Sequence, residues 1–491
     1  MTQVRLETIV VALRRAGLLV AARGALPEFI GAVTDESRAV RSGALFLAVR
    51  GSARDGHDYL AAAERAGASV VVVDDPARSV QPALVVSDTR RAAAIAAAVF
   101  YGDPARQLRL VAVTGTNGKT TTVGMLRHLL DDPEGGARCA SIGTLGVLVG
   151  SEGMAVDGGS GLTTPGPVEL QRVLRAVYDC GVRTVAMETS SHALHQGRLE
   201  GLQFEAGVFT NFTRDHLDYH VTMEAYLAAK AMLVSLLARD GAAVVNADDP
   251  AWDALPAAPR TVRFGLAGKG EVRAEDITYT PRGSRWVLAI GEERFGVTLP
   301  LIGDFNVANA LAAAAAAWAM RVPASEIARR LSTMPQVPGR LEIICDAPTM
   351  LRDYAHTPDA LERALDAVRP FTAGNLIAVF GCGGDRDRGK RPEMGRIAES
   401  HADRAIVTSD NPRTEDPERI LDDIEAGMTA GRHERIADRR EAIARAIHVA
   451  TAGDVVLLAG KGHETYQIRG TVKYPFDERE IVHEIISEGV T

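Results

Sequence analysis

The chain reads as an α/β protein of three domains with mainly parallel sheets, and three features carry that reading. Short apolar runs such as Ser69–Val73, Ala83–Val86, Thr184–Met187, Gly207–Thr210, Ala242–Val245, Leu376–Phe380, Ala405–Thr408 and Val455–Ala459 have the length and density of fully buried strands. Helical stretches alternate with them, the order expected of a parallel sheet with crossover helices. Nearly every polar cluster begins where such a strand stops, at Glu188, Asn211, Asn246, Gly381, Ser409 and Gly460. Open parallel sheets bind ligands outside the carboxyl ends of their strands.

Taken in order, the first block (1–105) holds two short strands and an Ala-rich helix from about Arg90 to Phe100, ended by Gly102-Asp-Pro104. The second (106–337) opens with the apolar run Leu108–Val113, which enters a glycine turn. A helix follows with Met125, Leu126, Leu129 and Leu130 on one face. Its tail is an Ala-rich helix, Ala308 to Ala319, and Pro335-Gln-Val-Pro-Gly339 reads as a linker to the third block (338–491).

At 491 residues, 46% hydrophobic and 24% charged, the chain has ample core for several domains. A net charge of −8 argues against nucleic acid as a partner. No apolar run approaches the ~20 residues of a membrane span, and the first residues lack a signal-type apolar segment. Cys139, Cys180, Cys345 and Cys382 show no C-x-x-C spacing, so neither a zinc site nor a disulfide framework is expected. A cytoplasmic, monomeric protein fits these features.

The most informative stretch is Val111-Ala-Val-Thr-Gly-Thr-Asn-Gly-Lys-Thr-Thr-Thr122. A strand, a glycine turn and a helix N-terminus form a cradle of N–H groups suited to polyphosphate. Lys119 is placed to reach terminal phosphates and the Thr120 hydroxyl to sit on Mg²⁺. The spacing G-x-x-G-K-T is shorter than the generic phosphate loop, so only its second half matches that pattern. The reading is an ATP or GTP site.

Glu188 directly follows a strand, where an acidic residue commonly holds the Mg²⁺ of such enzymes. Thr210-Asn-Phe-Thr-Arg-Asp-His-Leu-Asp-Tyr-His220 packs two aspartates and two histidines into eleven residues. It suggests a second cation site, although taken alone a His-rich loop of this kind is more often simply polar. Thr222 can cap a helix on which Tyr226, Lys230, Leu233 and Leu237 fall at i, i+4, i+7 and i+11. That puts the Lys230 amine on the apolar face. Periodicity favours a snorkelling lysine. The other escape is a depressed pKa, giving a neutral amine that can attack CO₂ and become a metal-ligating carbamate.

These segments together resemble the Mur ligases of bacterial cell-wall precursor synthesis, over the whole chain. The motifs are Thr114-Gly-Thr-Asn-Gly-Lys-Thr-Thr-Thr122, Glu188-Thr-Ser-Ser-His-Ala-Leu194, Thr210-Asn-Phe-Thr-Arg-Asp-His-Leu-Asp218, Ala228-Ala-Lys230 and Asn246-Ala-Asp-Asp249. Further on come Gly303-Asp-Phe-Asn-Val-Ala-Asn-Ala310, Asp353-Tyr-Ala-His-Thr-Pro-Asp-Ala-Leu361, Gly381-Cys-Gly-Gly-Asp-Arg-Asp387, Asp410-Asn-Pro-Arg413 and Gly460-Lys-Gly-His-Glu464. The resemblance implies a uridine-binding N-terminal domain, a central ATPase domain and a Rossmann-like C-terminal domain.

It also implies roles. The substrate would be UDP-N-acetylmuramoyl-L-alanyl-D-glutamate, activated by ATP as an acyl phosphate and then attacked by an amino acid. ATP would be held by Gly115, Thr116, Asn117, Gly118, Lys119, Thr120, Thr121, Asn306, Asn309, Arg340, Asp353, Tyr354 and His356. Two Mg²⁺ sites would involve Thr120 and Glu188, then His216 and carbamylated Lys230, with Lys119, His216 and Lys230 catalytic. The acceptor would touch Ser37, Ser52, Ala53 and Arg54 at its uridine end, and Thr163, Thr164, Ser190, Gln196 and Arg198 at its peptide end. Two positions depart from the family pattern: Leu162 replaces the Asn often found before the paired threonines, and Asp35 replaces an apolar residue two before Ser37.

Arg386, Asp410, Asn411, Pro412, Arg413, Gly460 and Glu464 follow three C-terminal strands expected to be neighbours. Arginine suits bidentate carboxylate recognition, and Asp410 or Glu464 can accept from an ammonium. A pocket of both signs suits a zwitterionic head. The D-N-P-R loop resembles the diaminopimelate-adding members, so meso-diaminopimelate is the expected amino acid, with L-lysine or L-ornithine the alternative. A folylpolyglutamate-synthetase-like ligase would lack the first block, and a nucleotide switch would need neither the second metal cluster nor the arginine pocket.

Overall fold

The computed structural model describes residues 3–488 apart from 52, 53, 79, 81, 133, 160 and 430. The chain divides into two compact units. The first comprises residues 1–273, 289–293 and 309–330; the second comprises 274–288, 294–308 and 331–491.

Among its described residues the first unit contains a two-stranded ribbon, Val4–Arg5 with Phe29–Ile30, and two large sheets. The smaller has the strand order Leu19–Arg23, Ala83–Val86, Ala68–Val73, Ala44–Leu47, Ala32–Thr34, all parallel but for the first pair. Ser37 lies just past Ala32–Thr34, and Arg54 lies past Ala44–Leu47, so both follow the ends of adjacent parallel strands. Ser52 and Ala53 fall outside the described residues.

In the larger sheet six parallel strands run Arg138–Gly143, Val182–Glu188, Arg109–Thr114, Phe204–Phe209, Leu237–Asn246, Arg260–Gly265. The strand feeding the glycine turn is thus flanked by the one ending in Glu188 and the one leading to Thr210. Val113 pairs in register with Glu188, and Thr114 with Phe209. All three polar segments therefore leave the sheet side by side.

In the second unit the order is Glu342–Asp346, Thr349–Asp353, Val455–Ala459, Leu376–Phe380, Arg404–Val407, His433–Arg435, parallel except for the first pair. Leu376, Ala378 and Phe380 face helices Pro358–Val368, Lys390–His401 and Pro417–Glu425, while Ile377 and Val379 face Arg439–Val449 and Glu478–Glu488. A strand covered on both faces explains the unbroken apolar runs. The three strands expected to be neighbours are adjacent.

Among the described residues no helix is long and apolar enough to cross a membrane. One local expectation needs correction. Thr222 does cap a helix, accepting from Ala225 N–H, but that helix is Met223–Ala231 and tightens into a 3₁₀ turn, Met232–Leu236. Leu237 begins a strand, so only Tyr226, Lys230 and Leu233 share the buried face before it.

Candidate active site

The glycine turn is fixed by the neighbouring strand's loop. Thr116 N–H donates to Asn211 O (2.8 Å), and Asn117 N–H donates to Asn211 Oδ1 (2.8 Å). The Thr210 hydroxyl donates to Asn117 O (2.7 Å). Gly115 (φ 151°) and Gly118 (φ 84°) occupy backbone regions that favour glycine. A Cβ on Gly115 would run into the Thr210 hydroxyl, and one on Gly118 into Asn309 Oδ1. Gly118→Ala should destabilise the fold by roughly 1–2 kcal/mol and weaken nucleotide binding further; thermal melts with and without ATP check this.

Lys119 and Lys230 converge on this turn. The Lys119 amine donates to Gly115 O (2.9 Å) and Thr116 O (2.8 Å). Lys230, 1% exposed, donates to the same Gly115 carbonyl (2.7 Å), with its amine 4.5 Å from the Tyr226 ring centre. Burial drives the Lys230 pKa well below that of an ordinary lysine, and the Lys119 charge adds to the effect against the opposing pull of Asp215. The amine is not snorkelling, and among the described residues no carboxylate ion-pairs with it, the arrangement that favours loss of a lysine's proton.

His216, at φ 54°, borders the same space. Its pKa is lowered first by burial and then by Lys119 and Lys230, against Asp215. Its ring packs 4.9 Å from that of His192, which also meets Tyr219 (4.2 Å) and His220 (5.4 Å). Burial, with His216 and His220 next, takes His192 down to about 4. Both rings are therefore neutral at pH 7, the form that ligates metal.

Glu188 is 2% exposed and accepts from the Thr144 N–H (2.7 Å) and hydroxyl (3.2 Å). Among the described residues no three His, Cys, Asp or Glu side chains gather as a metal cage. Mg²⁺ asks for less: it keeps several waters and takes one or two protein oxygens plus substrate phosphates. Thr120, in the first turn of helix Lys119–Leu130, and Glu188, ending the adjacent strand, are oxygen donors of that kind.

The peptide-end residues form one network. The Thr164 hydroxyl donates to Glu188 O (2.9 Å) and accepts from Ser190 N–H (3.0 Å). Arg198 donates to Thr164 O (3.0 Å) and, through Nη2, to Gln196 Oε1 (2.6 Å), whose amide donates to the Tyr219 hydroxyl (3.1 Å). Thr163 is reached from the Thr144 hydroxyl (3.5 Å). Asp35, the departure from pattern, lies within electrostatic reach of Arg198; burial raises its pKa despite that cation.

The second unit gathers two groups. Arg340 stacks over Tyr354 (4.9 Å), which also meets His356 (4.7 Å) and His463 (5.3 Å). Asp353 accepts from Leu341 N–H (2.7 Å), and burial pushes its carboxyl up to about 6 despite Arg340. Asn306 is buried and donates to Ile302 O (2.7 Å). In the first unit, Asn309 lies against Gly118 and accepts from the Thr122 hydroxyl (3.4 Å).

Beside Tyr354, Gly460 N–H donates to Asp353 O (3.0 Å), and a Cβ on Gly460 would meet Asp410 Oδ2. Asn411 donates to Glu464 Oε2 (2.8 Å), and Pro412 O abuts Gly384. Arg413 (φ 52°) donates through Nη1 to Gly384 O (2.8 Å) and borders Gly383, as does the exposed Arg386.

The Asp410–Arg413 loop is tied to a hairpin, Tyr466–Arg469 with Val472–Pro475, that the sequence reading did not foresee. Arg413 N–H donates to Ile468 O (3.1 Å), Gly470 N–H to Arg413 O (2.7 Å), and Ile468 N–H to Asn411 Oδ1 (2.9 Å). Thr144, Asn211, Tyr219, His192, Lys461 and His463 are further site residues that sequence reasoning gave no role. All but Thr144 lay inside motifs already singled out.

The Mur ligase middle domain matches residues 113–317, the Mur ligase glutamate ligase domain residues 339–462, and the Mur ligase family catalytic domain residues 30–115. The chain is 45% identical to a UDP-N-acetylmuramoyl-L-alanyl-D-glutamate–2,6-diaminopimelate ligase of Geobacillus kaustophilus, over 95% of this chain and 96% of that one. It is also 45% identical to one of Gloeobacter violaceus, over 94% and 95%. A solved structure of a ligase with that same name covers 100% of both chains at 34% identity and a TM-score of 0.70. A Mycobacterium tuberculosis folylpolyglutamate synthase shares the fold at 18% identity and a TM-score of 0.62, over 74% of this chain and 91% of that one.

Proposed function

Since the chain belongs to the Mur ligase family, we propose that it joins meso-2,6-diaminopimelate to the D-glutamate of UDP-N-acetylmuramoyl-L-alanyl-D-glutamate at the expense of ATP. The observation that carries this is the convergence of Lys119, Lys230 and His216 on one glycine turn, beside the Thr164–Arg198 network.

The glutamyl carboxylate attacks the γ-phosphate, ADP leaves, and an acyl phosphate forms. The amine of the incoming amino acid then adds to the acyl carbon, and phosphate departs. Negative charge gathers on phosphoryl oxygens in the first step and on the acyl oxygen in the second, so preorganised cations contribute most of the acceleration. Lys119 turns from the loop carbonyls to the phosphates as nucleotide enters. Thr120 and Glu188 would hold one Mg²⁺, and His216 with a carbamate on Lys230 would hold a second. A cation bound there would supply charge neutralisation for the phosphate beside the acceptor carboxylate. Lys230 suits the carbamate because burial and the Lys119 charge disfavour a second cation there, whereas the modification places an anion beside Lys119.

Arg198 with Thr164, Ser190 and Gln196 holds the acceptor peptide, while Ser37 and the 51–54 loop hold the uridine end. In the second unit, Asp353, Tyr354, His356 and Arg340 hold the nucleoside, and Arg413, Asn411 and Glu464 the amino acid. As pH falls through about 6, Asp353 takes up a proton and loses its strength as an acceptor for ribose hydroxyls. The KM for ATP should rise over that range, and the limb should vanish in Asp353→Asn; initial rates between pH 5 and 8 measure it.

An amino-acid panel tests the proposal. ADP release should require both the UDP-dipeptide and diaminopimelate, with L-lysine and L-ornithine at least 100-fold poorer in kcat/KM, about the discrimination expected of an unpaired buried charge. Equal use of lysine, or ADP release without an acceptor, overturns it.

A further inference from the structure

We infer that Lys461 is a positioning residue of the amino-acid pocket, orienting Glu464 and Asn411 so that Glu464 Oε1 faces the ammonium of the incoming amino acid. This rests on the reading of the pocket given above. Lys461 is 0% exposed and follows the strand Val455–Ala459 by two residues. Its amine donates to Asn411 Oδ1 (3.2 Å) and Glu464 Oε2 (3.3 Å), and the rings of Tyr466 and Phe476 lie 6.0 and 5.9 Å away.

Those contacts determine the rest of the pocket by elimination. Asn411 Oδ1 is occupied by Lys461 and by Ile468 N–H, so its amide NH₂ must face Glu464, where it donates to Oε2 (2.8 Å). Glu464 Oε2 thus receives two donors from within the protein. Among the described residues neither donor falls on Oε1, which leaves that oxygen for an external ammonium. A buried ammonium is retained only when it is paired and hydrogen-bonded. A carboxylate and an amide oxygen beside an aromatic wall meet that requirement. The positive charge also balances Glu464, so the pocket does not attract any cation indiscriminately.

Lys461→Met keeps the length and apolar stem while removing the charge. It should raise the KM for diaminopimelate at least tenfold and leave the KM values for ATP and the UDP-dipeptide within twofold. In a Glu464→Gln background the same substitution should add less than twofold, because Lys461 acts through that carboxylate. Equal rises in all three KM values, or full additivity with Glu464→Gln, overturn the proposal. A Glu464→Gln enzyme with unchanged KM for diaminopimelate overturns the pocket assignment itself, whatever Lys461 does. Should Lys461→Met not fold, Lys461→Gln retains a donor without charge and gives the same comparison.

Discussion

Lys230→Ala should abolish ligation, with kcat falling by roughly 10³-fold or more, the scale of removing a preorganised charge-stabilising group. The wild-type amine sits on the Gly115 carbonyl in a space shared with Lys119 and His216. Its pKa is driven down by burial and by a neighbouring cation. Those surroundings favour the neutral, nucleophilic amine, and on the proposed reading its product with CO₂ would be an anionic ligand for the second cation. Two further results distinguish this from loss of packing. Acetate or formate, small enough for the vacated space, should restore part of the activity. Wild-type enzyme depleted of CO₂ should slow and recover on adding bicarbonate. Full activity in the alanine variant, or no response to either anion, would rule out the carbamate.

Arg413→Ala should raise the KM for diaminopimelate by 10²- to 10³-fold, with little change for ATP. The guanidinium is half-buried and held over Gly383 by its bond to Gly384 O. It is therefore aimed before any carboxylate arrives, and little ordering entropy is lost on binding. Leaving the partner carboxylate unmatched in such a pocket costs roughly 3–4 kcal/mol. Arg386, exposed and among the described residues bonded to the neighbouring Asp385 carbonyl alone (3.0 Å), should matter much less, with a rise of only a few-fold. Steady-state kinetics on both variants provide the comparison. Equal sensitivity of ATP and diaminopimelate to Arg413→Ala would mean the pocket has been misplaced.

Strand positions in the three apolar-rich regions were legible because a strand buried on both faces carries its signal in every residue. Leu376–Phe380 and Val455–Ala459 match the expectation to the residue. The phosphate turn was legible for a different reason, since positive-φ glycines and a lysine at a helix start have few other uses. Lys230 marked the limit. Its place on an apolar face followed from periodicity, but periodicity could not show that Gly115 and Lys119 lie against it. The strands flanking the phosphate loop come from residues 182–188 and 204–209, and only their pairing brings those segments together. Thr144 had no signal at all, because a lone polar side chain becomes informative only once its partner is known, and Tyr219 lay unremarked inside the Thr210–His220 stretch for the same reason. The hairpin after Glu464 was invisible for a related reason: its residues are mostly exposed and it pairs with a loop rather than a strand.

That hairpin bears on any attempt to retarget the enzyme. The peptide groups of Asn411 and Arg413 do not hold their own shape; the ribbon holds it for them through bonds on both sides of Arg413. On the proposed pocket, amino-acid choice would reside in two segments more than fifty positions apart, to be exchanged as a pair. Grafting the four-residue loop from a lysine-using homologue, without its matching ribbon, should yield a poorly shaped cavity that favours neither amino acid.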